Sequence, residues 1–230
     1  GFLPANNLSV IVDTNTKEII FSLMMLISFF SIFLSYNLFF IKNKNISFFY
    51  EDIYLFIYLI LLIGIFFLLF NFDYNFSVIL LSLTSSISNI GVSLETSPKD
   101  LSFLFLILVI IGGSFFSTSS GIRFLKIFTL FKFSINDLIS HVKPRNIFVN
   151  RHFFFDTSFK KEEINRYFLS VIIFIISLFL LISLLSISGI SLENSFKLSI
   201  LTIMNTVNSS MYGLEDFNFQ DLRFYTKYYL

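Results

Sequence analysis

The sequence predicts an all-α integral membrane protein, built from repeated units of helix, re-entrant half-helix and helix, present in incomplete number. Three observations predict this. Of 230 residues, 55% are hydrophobic and only 13% charged, whereas soluble domains carry about 25% charged residues. Four nearly uncharged stretches reach the roughly 20 residues that a helix needs to cross about 30 Å of hydrocarbon. Two further apolar stretches stop halfway and turn polar, and they resemble each other.

Taken in order, stretch 19–41 is uncharged and bracketed by Lys17, Glu18 and Lys42. Stretch 53–72 follows a short charged loop. Stretch 75–94, "NFSVILLSLTSSISNIGVSL", begins apolar and ends in Ser, Asn and Gly. Its apolar half is about ten to twelve residues, the length of a re-entrant segment rather than a crossing. Stretch 101–122 is the third crossing, and 167–192 the fourth. Stretch 194–214 repeats the half-apolar pattern and carries Lys197. Residues 76–95 and 196–215 both run twenty positions from Phe to Leu-Glu. That internal repeat suits a duplicated membrane unit.

Other classes are disfavoured. A net charge of +1 leaves no nucleic-acid footprint. The absence of Cys removes disulfides and thiolate metal sites. His141 and His152 lie in a polar loop and read as solvated residues rather than a metal pair. No phosphate loop, HExxH, GxSxG or GxGxxG occurs, and no acid/base pair stands out, so no enzyme and no cofactor are expected. Lys/Arg counts orient the chain. The 133–166 loop carries Lys143, Arg145, Arg151, Lys160, Lys161 and Arg166, and the 42–52 loop carries Lys42 and Lys44. With both loops cytoplasmic, both polar turns open to the outside. The chain starts at Gly1 with no signal-peptide pattern and reads as an internal fragment.

Three polar stretches carry the candidate chemistry. A cation filter needs several oxygens aimed at one axis, and Gly lets backbone carbonyls be turned that way. Ser88, Asn89, Ile90 and Gly91 supply such a turn, with the negative end of the preceding half-helix aimed at it. The second turn, "NTVNSSMYGLED", aligns in two registers. One sets Asn205-Thr206-Val207 on Asn89-Ile90-Gly91; the other uses Asn208-Ser209-Ser210. The second is preferred because Ser, not Val, then replaces Gly, which makes Val207, Asn208, Ser209 and Ser210 the candidates. Finally, "IGGSFFSTSSGIR" puts Gly112, Gly113, Ser114, Ser117, Thr118, Ser119, Ser120 and Gly121 in one run, followed by Arg123. Each Gly weakens a helix by about 1 kcal/mol relative to Ala, so an unwound segment is expected. Arg123 either faces a partner or snorkels to the cytoplasmic interface.

These residues resemble the Trk/Ktr/HKT superfamily of potassium transporters, the TrkH branch most closely. "SSISNIGVSL" is similar to its third filter, "IGGSFFSTSSGIRFLKIFTLFK" to its GG-x(3)-ST-x-GG-I-K stretch, and "HVKPRN" to its HP-R loop. "MNTVNSSMYGL" falls where the fourth filter belongs, and "GFLP" resembles the tail of the second. The resemblance covers nearly the whole chain. It implies potassium-channel-like pore repeats: the end of the second repeat in 1–50, the third repeat in 51–132, a cytoplasmic loop in 133–160 and a truncated fourth repeat in 161–230. It implies that the 112–121 stretch, with Arg123, is an intramembrane gate, and that potassium at the filter is the transported ion. It also implies a multi-pass protein of the bacterial cytoplasmic membrane, a homodimer, and a cytoplasmic nucleotide-binding regulatory subunit of the TrkA kind. The fourth turn lacks the family's Gly in either register, and Arg123 replaces a Lys. A sodium-permeable or non-selective transporter, and a non-conducting membrane scaffold, therefore stay open.

Overall fold

The structure is a computed structural model that describes residues 12, 14–30, 46–69, 74–94, 97, 101–114, 117–142, 161–214 and 226. Helix α1 spans Asn15–Phe29. It begins at Thr14, whose hydroxyl accepts from the Lys17 amide, with Glu18 in the first turn, where the helix dipole favours an anion. Helix α2 spans Ile46–Leu69. The short α3 spans Phe76–Ile87 and α4 spans Ser102–Ile110. Two two-residue strands follow, β1 (Ile111–Gly112) and β2 (Ile122–Arg123), paired in parallel with Ile111 opposite Ile122. Helix α5 spans Phe124–Val142, α6 spans Lys161–Ile187 and the short α7 spans Leu192–Ile203, before a 3-10 turn at Ser210–Tyr212.

The core is assembled around α3 and α4. Helix α1 packs on α3, α6 packs on α7, and α4 packs against α3, α7 and the 3-10 turn. Phe29, Leu83, Ile87, Phe105, Val109, Leu198 and Met211 share one buried cluster. Helix α3 is buried along nearly its whole length, although it carries Ser77, Ser82, Thr84, Ser85 and Ser86. Much of that polarity is absorbed locally. Ser86 Oγ donates to the Ser82 carbonyl (2.9 Å), Thr84 Oγ1 to Leu81 (3.1 Å) and Ser88 Oγ to Thr84 (2.6 Å). Helix α7 does the same from Ser199 to Ser195, and α6 from Ser170, Ser177 and Ser183. Back-bonding to the preceding turn satisfies most of these hydroxyls in apolar surroundings, while Ser77 Oγ stays without a partner.

The expected crossings differ from the observed helices. Among the described residues one helix, Glu162–Ile187, is long and apolar enough to cross a membrane. It starts earlier than expected and stops at Ile187, because Ser188 and Gly189 turn the chain and Leu192 already begins α7. The second stretch ends at Leu69, leaving an apolar helix over Ile53–Leu69. The third, 101–122, is helical only to Ile110 and cannot cross by itself; the chain resumes as α5, which runs into the stretch expected as loop. For the first stretch, residues 31–41 lie outside the described residues, as do 1–4, the lysines at 42 and 44, and 143–160. Large apolar side chains face outward along α2 and α6, among them Phe56, Leu61, Leu68, Phe168, Phe179 and Leu180.

The repeat also has a different period. Helix α3 starts at Phe76 and α7 at Leu192, and their left-handed turn residues are Asn89 and Asn205. Both pairs stand 116 positions apart, not the 120 expected from the Leu-Glu ends.

Candidate functional site

The site is built where α3 and α7 end. After Ile87 the backbone turns at Ser88 and enters a left-handed conformation at Asn89 (φ 60°). Asn tolerates this region better than other side-chain-bearing residues. The Ser85 carbonyl accepts from both the Ile90 and Gly91 amides, and Ser85 Oγ accepts from the Val92 amide at 2.7 Å. Helix α7 ends in the same way at Met204, with Asn205 at φ 51° and the Thr206 amide on the Leu201 carbonyl. Asn205-Thr206-Val207 is therefore the backbone equivalent of Asn89-Ile90-Gly91. The register preferred from the sequence, Asn208-Ser209-Ser210, is corrected. The left-handed Asn is the geometric feature that the two turns share, whereas the preference rested on side-chain size at the Gly position and on the spacing to Leu94 and Leu214. At that position the turns diverge: Gly91 has φ 76°, while Val207 is not among the positive-φ residues. A β-branched side chain is a poor fit to that region.

The two turns touch. The Val207 amide donates to the Ile90 carbonyl at 3.3 Å. Asn89 Nδ2 donates to Val109 O on α4 (2.7 Å) and reaches Thr206 Oγ1 (3.4 Å). Beyond them the hydroxyls of Ser93 and Ser210 lie 3.2 Å apart. Gly91 has no room for a side chain, since a Cβ there would run into the Val207 backbone and the Thr206 methyl. Three side-chain oxygens here, Asn89 Oδ1, Asn208 Oδ1 and Ser209 Oγ, are buried without a hydrogen-bond partner. Leaving such a group unsatisfied costs roughly 1–3 kcal/mol.

The described residues of the 112–121 stretch are non-helical, as its composition predicts, and Gly112, Gly113, Ser114, Ser117 and Ser119 are buried. Its amides cap α1: Ser114 N donates to Phe29 O (3.0 Å), and Thr118 N (3.2 Å) and Ser119 N (3.1 Å) donate to Ser28 O. Gly113 N donates to Ser119 Oγ at 2.9 Å, and Ser117 Oγ donates to Ser114 O at 2.8 Å. Gly112 and Gly121 face each other so closely that a Cβ on either would meet backbone, and one on Gly113 would meet Phe29 O. Ser120 Oγ donates to Met204 O, tying the loop to the end of α7. Arg123, half-buried, does not snorkel. Its Nη1 donates into the loop, to Ser114 O (3.3 Å), Ser117 O (3.1 Å), Ser117 Oγ (2.8 Å) and Ser119 O (2.7 Å).

The structure thus brings the two turns into contact and bonds the loop to the end of the helix before the second turn. Sequence reasoning missed Asn205 and Thr206, which the other register contained, and Ser85 and Ser93. It also missed the Ser28 and Phe29 carbonyls, for which side-chain chemistry gives no signal. Among the described residues no cluster of His, Asp or Glu could hold a metal ion.

No family model matches this sequence, and no curated protein matches it. Its fold is similar to the crystal structure of the potassium transporter TrkH from Vibrio parahaemolyticus, with a TM-score of 0.80 and 19% sequence identity. The match covers 95% of this chain and 48% of that one, so the chain spans about half the length of the protein it resembles.

Proposed function

We propose that this chain is part of a potassium transporter subunit that passes monovalent cations across the bacterial cytoplasmic membrane. The ion path runs between the two left-handed turns. The supporting observation is their meeting: two short buried helices end at one place, with unpartnered oxygens beside them. Helix C-termini carry partial negative charge, which favours a cation there. Oxygens from Ser88 to Gly91 and from Val207 to Ser210 would replace part of the ion's water, and no cofactor takes part. Asn205 and Thr206 join this set through the equivalence of the turns.

Under this reading α3 and α7 are re-entrant half-helices, and the chain is multi-pass. The outward apolar faces of α2 and α6 would meet lipid. Loop 112–121 blocks the path on the inner side and gates it, with Arg123 holding it closed. The family resemblance of the sequence adds two whole-protein properties to this proposal: a homodimer, and a cytoplasmic nucleotide-binding regulatory subunit.

A sodium-permeable transporter is the second reading, favoured by Val207 at the Gly position. Growth rescue separates them. The full-length protein is expressed in bacteria lacking potassium uptake, beside Gly91→Arg at matched membrane levels. Rescue at low potassium by the parent alone supports the potassium path. Sodium uptake without rescue selects the second reading. Equal rescue by both proteins removes Gly91 from the path, and neither rescue nor uptake despite membrane insertion leaves a non-conducting scaffold.

A further inference from the structure

We propose that Ser114, Ser117 and Ser119 form an oxygen cage for a dehydrated monovalent cation. The Arg123 guanidinium fills it as a tethered ion, and a free potassium-sized ion fills it once that charge is gone. The proposal deepens the gate reading above and rests on it only for its consequence in transport.

The coordination carries the argument. One nitrogen, Arg123 Nη1, meets four oxygens at 2.7–3.3 Å. That nitrogen has two hydrogens. Four acceptors around two hydrogens resemble the surroundings of an ion more than those of a directional donor. All four oxygens are neutral, three of them carbonyls. Calcium asks for oxygens at 2.3–2.6 Å, with carboxylates among them, and magnesium for about 2.0–2.1 Å. Rings of carbonyls at longer range are what potassium-selective sites use. The chemistry therefore fits a large, singly charged cation.

The field points the same way. Ser114 and Ser119 donate their amides to the carbonyls that end α1, and offer their own carbonyls to Arg123. Each is polarised between the negative end of a helix and a positive charge, and such chains strengthen their members. The cage also stands without Arg123. Ser114 N, Ser117 N, Thr118 N, Ser119 N and Gly113 N are all bonded within the loop or to α1. The buried Ser114 hydroxyl has no partner and is a spare oxygen.

The test is thermal unfolding of the purified full-length protein as wild type, Arg123→Lys and Arg123→Met, each in potassium chloride and in choline chloride. Choline is too large for the cage. Ions bound elsewhere shift all three proteins alike, so the cage is read from the difference. Arg123→Lys should match the wild type, because an ammonium is also a compact cation. Arg123→Met should be destabilised in choline and recover in potassium, with a salt-dependent rise about 5 °C larger than the wild type's. An equal rise in wild type and Arg123→Met overturns the cage. So does an Arg123→Met protein that cannot be recovered folded in either salt, since a free ion then fails to replace the tethered one. Failure of Arg123→Lys also overturns it, because the loop then reads guanidinium shape and not charge. Wild-type flux tests the transport reading separately and does not enter this comparison.

Discussion

Gly91 and Asn89 hold the first turn by different means, and substitutions separate them. Gly91→Ala adds a left-handed cost of about 1–2 kcal/mol to a collision with the Val207 backbone and the Thr206 methyl. The expected outcome is a protein destabilised by more than about 2 kcal/mol in thermal unfolding. Asn89→Ala loses the bond to Val109 O and the residue type best suited to φ 60°. It should cost roughly 1–3 kcal/mol, while Asn89→Gly should lose the bond but keep the turn and so cost less. At the outer end of α7, Lys197 Nζ bonds Glu193 Oε1 at 2.6 Å and Gly213 O at 3.2 Å. The hydrogen bond and then the charge of Lys197 hold the Glu193 carboxyl below its ordinary range. A depressed carboxylate stabilises above its unfolded pKa, and that contribution is lost as pH falls through the folded value. Glu193 is exposed, so the effect on stability is small. Lys197→Met should return the Glu193 titration, followed by carboxyl NMR, to its ordinary position.

Among the elements, the 112–121 loop is the one whose attachments differ at its two ends. Toward α1 it is held by several backbone bonds; toward α7 the bond comes from one hydroxyl, Ser120. Ser120→Ala should therefore free the α7 side while leaving the α1 side in place. If the loop gates, rubidium flux through reconstituted full-length protein rises several-fold in Ser120→Ala, with an unfolding temperature within a few degrees of wild type. Unchanged flux would take the Met204 contact out of gating. The Gly-Ser composition announced an unwound segment. It could not announce that the segment would be buried, because its amides are satisfied by carbonyls of a helix more than eighty residues earlier.

For the whole molecule the membrane reading makes one sharp topological prediction. These 230 residues contain no Cys, so in full-length protein freed of any other Cys, single introduced cysteines report their side. Ser134→Cys on α5 should be labelled by an impermeant reagent only from the cytoplasmic side, and Glu193→Cys only from outside. Labelling of both from one side would contradict an odd number of crossings between them. Helix α6, which lies between, is about 40 Å long at 1.5 Å per residue and exposes Phe168, Ile173 and Phe179. Under the proposed membrane reading, lipid would cover such a face.

The sequence alone determined the helical class and the two half-apolar segments, and it nominated polar turns that the structure brings into contact. These depend on hydropathy and on the local habits of Gly, Ser and Asn, which act over a few positions. It misjudged the third crossing, the end of the fourth and the period of the repeat. Only the tertiary structure decided the register of the second turn, because a left-handed Asn is a fact of backbone geometry that Asn205 and Asn208 share no local signal to distinguish. Only it decided that Arg123 faces inward, because its partners are loop carbonyls brought together by the close approach of Gly112 to Gly121 and of Gly113 to Phe29. Backbone carbonyls are the same in every residue; where they converge is a property of the fold.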